Sequence, residues 1–553
     1  MKNLISFALV CVCMLVSKPA QAQKDIFTSL EDAIKTPLEV YKLDLSGKNL
    51  DTISKEIFKF KNLIELNLSS NQILILPEEI GNLTNLKELN LNANHGLKSL
   101  PSKIGLLKNL KKLDLGYCNL TILPKEIGNL INLEILNLSR GNELTSLPTE
   151  IGKLKNLKGL YLGGYNNITA LPEEMVNLTN LNELHLSAGE YLITPQSEIW
   201  NLKNLKKLTL SNFNFSDLPT EIGKLTYLED LKLDGLNNLT NISAEITQLK
   251  NLKRLEIYNC KKINILPKEI GKLANLEELE LSHNSSLATI PAEIVQLKNM
   301  KILRLFSCEN LTVFPKEIGN LANLKELYLG GSHHVRIPPI EIWNLTKLKK
   351  LRLSFFQDLP ASPKGIGKLV DLEELELNNN TDLVSVPMEI GQLKKLKKLS
   401  LRACQKLTAL PKTIGNLRNL EFLNIANNYK LTSLPAEIGQ LKKLKTLAIF
   451  GCEKLTLPKE IVGLSSLEEL LLGNNENATS FFKEIEKLKT LKKLYFWYDN
   501  FTTLPKEIFN LKSLQELSLF YPISAEDRDK IKKALPKCQI TNGTKICGMG
   551  SRD

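Results

Sequence analysis

Histidine is scarce in this chain, five residues in 553, and only His333 and His334 are neighbours. Adjacent histidines usually face different ways, and no carboxylate stands beside them at ligand spacing, so no metal centre is expected. No Gly-x-Ser-x-Gly elbow, phosphate loop or His-Glu-x-x-His occurs. With those signatures missing, no catalytic residue, cofactor or enzymatic activity is expected. The nine cysteines include no Cys-x-x-Cys pair. After Val16 no apolar run is long enough to cross a bilayer. The first run, Leu4 to Val16, is itself too short to span. It follows the basic start Met1-Lys2 and precedes Ala20-Gln21-Ala22, the pattern of a secretory signal cleaved after about Ala22. Cys11 stands behind Ala8-Leu9-Val10, a poor lipobox, and would leave with the leader together with Cys13.

The formal charge is +12 and the pI about 9.0. Such an excess invites a nucleic-acid partner. The lysines, however, recur at fixed intervals and mostly alternate with glutamates, so they form no single basic stripe and nucleic acid is not expected.

What the chain has in abundance is one period. Leu-x-x-Leu-x-Leu begins at Val40, Leu63, Leu86 and Leu110 and continues to Leu514, 21 units in all, each 23 or 24 residues from the next. In the unit from Leu63, Leu66 and Leu68 point inward from a short strand while Glu65 and Asn67 point out. Asn71 follows three residues later, where its amide can satisfy backbone groups of adjacent coils. Ile73 and Leu76 return to the core, Pro77 sets a turn, and Ile80 and Leu83 close the coil on one face of a short helical segment. The period identifies the chain as a leucine-rich-repeat protein. The expected fold is α/β: a solenoid with a parallel sheet on the concave face and short 3-10 or helical segments on the convex face. At ~4.8 Å per strand the sheet would run on the order of 100 Å.

The segment Leu-Pro-x-Glu-Ile-Gly-x-Leu-x-Asn-Leu, as in Leu123 to Leu133 and Leu266 to Leu276, resembles the Ras-suppressor-like group. That group includes plant intracellular Ras-group-related proteins and many bacterial exported repeat proteins. The resemblance covers roughly 38–523 and implies a horseshoe fold and a partner-binding role, without implying a Ras partner. The expected organisation is a leader (1–22), an N-terminal cap (23–39), the array (40–523) and a C-terminal cap and tail (524–553). Thr28 to Glu31 reads as a capping box opening a helix that Pro37 ends. Ser524 to Asp527 reads as the start of a helix through about Leu535, followed by a last strand at Cys538 to Ile540.

Within the array lies a six-unit super-repeat, 181–323 copied as 324–466. Trp200 and Trp343 recur 143 residues apart, and Cys260 and Cys308 recur as Cys404 and Cys452, 144 residues apart. Phe213 and Phe356 fill the asparagine position. Units beginning Leu-Lys-Lys-Leu alternate with units beginning Leu-Glu-Glu-Leu. Lys349 and Lys350 should therefore neighbour Glu373 and Glu374, which neighbour Lys397 and Lys398. Each such pair contributes about 0.2–1 kcal/mol, less when exposed. The ladder is read as specifying stacking rather than ligand.

Cys118, Cys260, Cys308, Cys404 and Cys452 occupy the asparagine position, where cysteine is a small buried group with a weak donor. Cys538 and Cys547 lie in the C-terminal cap, nine residues apart, and a disulfide between them is open. The outward positions of the first six strands read as mostly small and polar: Asp44, Asn67, Asn90, Asp114, Asn137. Later ones carry Tyr258, Arg304, Phe306, Tyr328, Arg352 and Phe355, and then Phe450, Tyr495, Trp497, Tyr498, Phe520 and Tyr521. Aromatic and Arg side chains dominate binding energy at interfaces, so these are the candidate partner contacts. Ordinary variation between strands, for the first set, and padding beneath the C-terminal cap, for the second, are the alternatives. Trp200 and Trp343 are expected to pack rather than bind. The expected function is an exported module binding a protein partner on its concave face, in the periplasm, at the surface or secreted. A self-assembling surface protein and a glycan-binding adhesin are the other readings.

Overall fold

Strand placement follows the leucine period. The computed structural model describes residues 26–140, 143–164, 168, 170–188, 197–359, 364–473, 478–497, 504–520 and 524–542. It divides into two units, with the chain boundary between Lys262 and Ile263. In the first, the described residues form eleven strands, from Ile26–Phe27 to Arg254–Tyr258; in the second they form twelve, from Glu278–Glu280 to Gln539–Asn542. Neighbouring strands within each unit are parallel and stay in register, as Asp230↔Lys207 and Lys350↔Glu374 illustrate. Between successive strands runs a five-residue 3-10 turn such as Glu78–Asn82 or Lys268–Lys272. Each unit is thus a leucine-rich-repeat solenoid of the expected α/β kind.

One coil shows why. Leu63, Leu66, Leu68, Ile73, Leu76, Ile80 and Leu83 are all buried, because the strand and the turn each turn their apolar positions to a common interior. Asn71 Oδ1 accepts the Lys48 and Leu50 N–H groups at 3.0 Å, and Nδ2 donates to Leu45 O at 2.9 Å and Leu68 O at 3.0 Å. The asparagine thereby satisfies backbone groups that no strand or turn pairs. Pro77 is the residue before the turn, with φ −65° and ψ 152°, so proline ends the extended segment instead of opening the helical one. The Ile-Gly pair of the motif has its own cause: a Cβ on Gly128 would stand 2.5 Å from Glu150 O of the next coil.

The ends differ in detail from expectation. Ile26–Phe27 pairs with Lys42 and Leu43, so Thr28 is spent leaving the sheet. The helix cap is Ser29, whose hydroxyl accepts the Asp32 N–H at 3.4 Å, and the helix spans Leu30–Lys35. At the other end Ser524 accepts the Asp527 N–H at 3.0 Å and caps helix Ala525–Ala534. The last strand begins at Gln539, one residue later than expected. In one coil, whose turn lacks the proline motif, an α-helix, Ala478–Ile485, stands in for the 3-10 turn, with Phe482 and Ile485 buried.

The lysine–glutamate ladder is present. Glu373 lies 3.5 Å from Lys349 and 2.7 Å from Lys397, and Glu374 lies 3.6 Å from Lys350. Lys398 departs from the expected pairing and turns to Glu376 at 2.5 Å. Paired lysines hold the ladder carboxylates down: Lys158 and then Lys111 donate to Glu134 and keep it at about 2.

Candidate partner-binding face

In the second unit, strands Ile302–Leu305, Glu326–Gly330 and Lys350–Ser354 set Arg304, Tyr328 and Arg352 side by side in register. Phe306 lies two residues beyond Arg304, on the same sheet face. Beside it stands Gly330, where an added Cβ would come within 3.2 Å of Phe306. With no side chain in the way, Arg352 reaches diagonally until its guanidinium lies 4.8 Å from the Phe306 ring centroid. Arg304 lies 5.1 Å from the Tyr328 centroid, and the Phe306 and Tyr328 rings meet edge-on at 6.1 Å. Contacts of this kind contribute roughly 0.5–2 kcal/mol each.

Carboxylates complete the cluster. Arg304 hydrogen-bonds Glu278 and lies 3.8 Å from both Glu280 and Glu326, while Arg352 lies 3.7 Å from Glu376. Burial alone would lower the Arg304 pKa; the bond and charge of Glu278 outweigh it and raise it. Tyr328 donates to Glu326 at 2.8 Å, and burial, then that hydrogen bond, push its phenol up. The side chains of Arg304 and Arg352 remain 27% and 21% exposed. The arrangement therefore presents guanidinium edges and ring edges already fixed in place, which lowers the ordering cost of a contact.

Not every predicted residue joins. Phe355 sits on the turn beyond its strand, 50% exposed with φ +65°, beside a cavity of about 320 Å³ lined also by Ser332, His333 and Asn379. Tyr258 belongs to the first unit, where Lys232 lies 5.8 Å from its ring centroid and 2.5 Å from Glu256. Near the C-terminus, Trp497 has Phe450 on one side, centroids 4.9 Å apart, and Phe520 stacked on the other at 4.2 Å. Gly473 lies between the Phe450 and Trp497 strands and leaves the gap they close. Burial, then the charges of Glu516 and Glu469, push Tyr495 up to about 12. Tyr498, Tyr521, Cys547 and the leader fall outside the described residues.

Sequence reading missed two groups. The strand of the sixth repeat unit, Gly159–Gly163, carries Tyr161, not a small polar residue, and it stacks on His185 at 4.8 Å beside Glu183. Tyr161 lies in the same column as Asn137, so reading that column one strand further finds it. Tyr117 accepts from Arg140 at 2.9 Å on the turns beyond the strands, where both residues have positive φ. Trp200, Trp343, Phe213 and Phe356 are packing residues, all 6% exposed or less. The five cysteines of the asparagine position are buried; Cys404 donates to Leu377 O at 3.0 Å and Cys308 to Leu281 O at 3.2 Å. Burial pushes Cys118 up to about 11 and the other four up to about 12. Among the described residues no cluster of His, Cys, Asp or Glu is placed to hold a metal ion, and no helix is long and apolar enough to cross a membrane.

The sequence family described as "Leucine-rich repeat region" matches residues 122–208, 194–313, 293–406 and 389–500, and those described as "Leucine rich repeat" and "Leucine Rich Repeat" match 39–95 and 109–130. No curated protein sequence matches. Among solved structures, a leucine-rich-repeat protein of Leptospira interrogans is 32% identical over 94% of this chain and 99% of its own, with a TM-score of 0.49. A plant peptide hormone receptor, solved with its peptide, is 24% identical over 90% of this chain and 94% of its own, with a TM-score of 0.42. An internalin of Listeria monocytogenes is 15% identical over 68% of this chain and 90% of its own, also at 0.42. With family matches running unbroken across more than half of its length, the chain belongs to the leucine-rich-repeat family.

Proposed function

We propose that the protein is an exported interaction module that binds a protein partner on the concave face of its sheet, and that Arg304, Phe306, Tyr328 and Arg352 anchor the contact. Family membership supports a non-enzymatic binding scaffold. The observation that carries the choice of site is the interlocked cluster itself: two arginines on outward positions of the strands flanking that of Tyr328, each held over an aromatic ring and against a carboxylate. Leucines already form the core, so these side chains are not needed to close it. Fixed aromatic and guanidinium groups are what a protein hot spot uses. The reading in which the C-terminal aromatics stack on a sugar needs an open ring, and Phe450 and Phe520 both pack against Trp497.

The leader and export belong to the same proposal and rest on residues 1–22 alone. The test is affinity capture with the mature chain against envelope and host extracts, identified by mass spectrometry. A partner captured by wild type and lost from the triple variant Arg304→Ala, Phe306→Ala, Arg352→Ala supports the site; equal capture by both refutes it.

A further inference from the structure

Along the edge of the second unit from which the strands start, lysine and glutamate alternate and neutralise one another. Glu373–Lys397, Glu421–Lys445 and Glu468–Lys492 close at 2.7, 2.7 and 2.8 Å. The alternation then ends. The next coil has Gln515 where a glutamate would continue the series. Lys489, Lys512 and Lys537 face no carboxylate among the described residues. With Lys445 and Lys492 they line a trough of about 610 Å³ in which Glu468 is the single acid.

The trough exists because its other walls are short. Ser466, Thr490 and Ser513 stand where most earlier coils carry asparagine or lysine, and Ser465 where the three coils before it carry Lys394, Arg418 and Lys442. Two of these hydroxyls are tied to backbone: Thr490 donates to Leu467 O at 2.8 Å, and Ser513 donates to Lys489 O. Lys512 donates to Phe509 O at 2.8 Å and to Ala534 O at 3.2 Å, at the end of the C-terminal helix, which fixes its ammonium at the wall. The outcome is a concave, hydroxyl-lined surface with five ammonium groups; Lys445 is paired with Glu421 and Lys492 with Glu468, which leaves Lys489, Lys512 and Lys537 without an ion pair among the described residues.

We propose that this trough binds a sulfated polysaccharide. Charge complementarity requires a polyanion. No aromatic ring lines the trough, so nucleobases have nothing to stack on. Leu514 is its one apolar lining residue and is 2% exposed, so a lipid chain has no surface to enter. Ser, Thr and Gln side chains between the lysines offer donors and acceptors to sugar hydroxyls while the ammonium groups take the sulfates. The site is separate from the Arg304 cluster and stands or falls without it.

Heparin is the probe, titrated into the full chain by calorimetry at increasing salt. Lys445→Gln, Lys489→Gln and Lys537→Gln together should weaken binding roughly tenfold or more, and the three corresponding Arg substitutions should restore it. A control losing the same charge, Lys61→Gln, Lys108→Gln and Lys203→Gln, should stay within about twofold of wild type. No heparin binding by wild type, or equal loss in trough and control variants, overturns the proposal. So does displacement of heparin at equal charge by polyuridylate, polyglutamate or phosphatidylglycerol vesicles.

Discussion

Asn428 offers the sharpest test of how the coils are joined. It is fully buried; its Oδ1 accepts the Cys404 N–H at 2.9 Å, and its Nδ2 donates to Leu401 O at 3.0 Å and Ile425 O at 2.6 Å. Asn428→Ala removes all three bonds and leaves one N–H and two carbonyls where water does not reach. A stranded buried donor or acceptor costs about 1–3 kcal/mol, and carbonyls tolerate loss better than N–H groups, so the expected destabilisation is about 3 kcal/mol. Asn428→Cys should cost roughly half as much. Its thiol can still donate to Leu401 O, as Cys404 donates to the corresponding Leu377 O, but it supplies no comparable acceptor for the Cys404 amide. Coils interact only with neighbours, so a global melt blurs the effect. Hydrogen exchange read at the Cys404 amide resolves it: protection should fall in the order Asn, Cys, Ala. Equal protection in all three would show that the asparagine ladder does not hold the coils.

Two further outcomes follow from titration. The five buried thiols, pushed up to about 11 or 12, should not react with a disulfide reagent at neutral pH until the chain unfolds and their pKa returns to about 8.5; prompt native reaction at Cys404 would contradict their placement. The ladder carboxylates are depressed by lysine hydrogen bonds, Glu134 to about 2 and Glu373, Glu421 and Glu468 in the same direction. Their contribution is therefore complete above the unfolded value of about 4.3 and lost as pH falls toward 2. Thermal melts should drop across that window and drop less at high salt; a salt-independent acid transition would remove the ladder from the account.

Much of this was legible because one period governs both packing and spacing. Leu63, Leu66, Leu68 and Asn71 occupy the places their pattern requires, and residues 24 apart, such as Lys349 and Glu373, do become neighbours. What escaped depends on directions that periodicity does not encode. The asparagine of Leu-x-Asn-Leu looks like a solvent position, yet Asn85 donates to Lys61 O and Asn132 to Lys108 O, both at 2.9 Å, forming another ladder on the outer turns. Ser29 replaces Thr28 as the cap because sheet pairing upstream shifts the frame by one residue. The candidate site was visible as a patch across the middle strands, but not in its internal geometry. Arg352 reaches Phe306 only because Gly330 is empty between them, and the Trp497 faces are covered only because Gly473 lets Phe450 approach.

The most direct measurement compares one captured partner against two sets of variants by dissociation constant. Arg304→Ala, Phe306→Ala and Arg352→Ala together should weaken binding well beyond tenfold with the fold intact by circular dichroism. Lys158→Glu, Lys349→Glu and Lys397→Glu should lower stability and leave affinity within about twofold. Unchanged affinity in the first set, or lost binding with unchanged stability in the second, would move the interface off the aromatic columns and onto the charged edge.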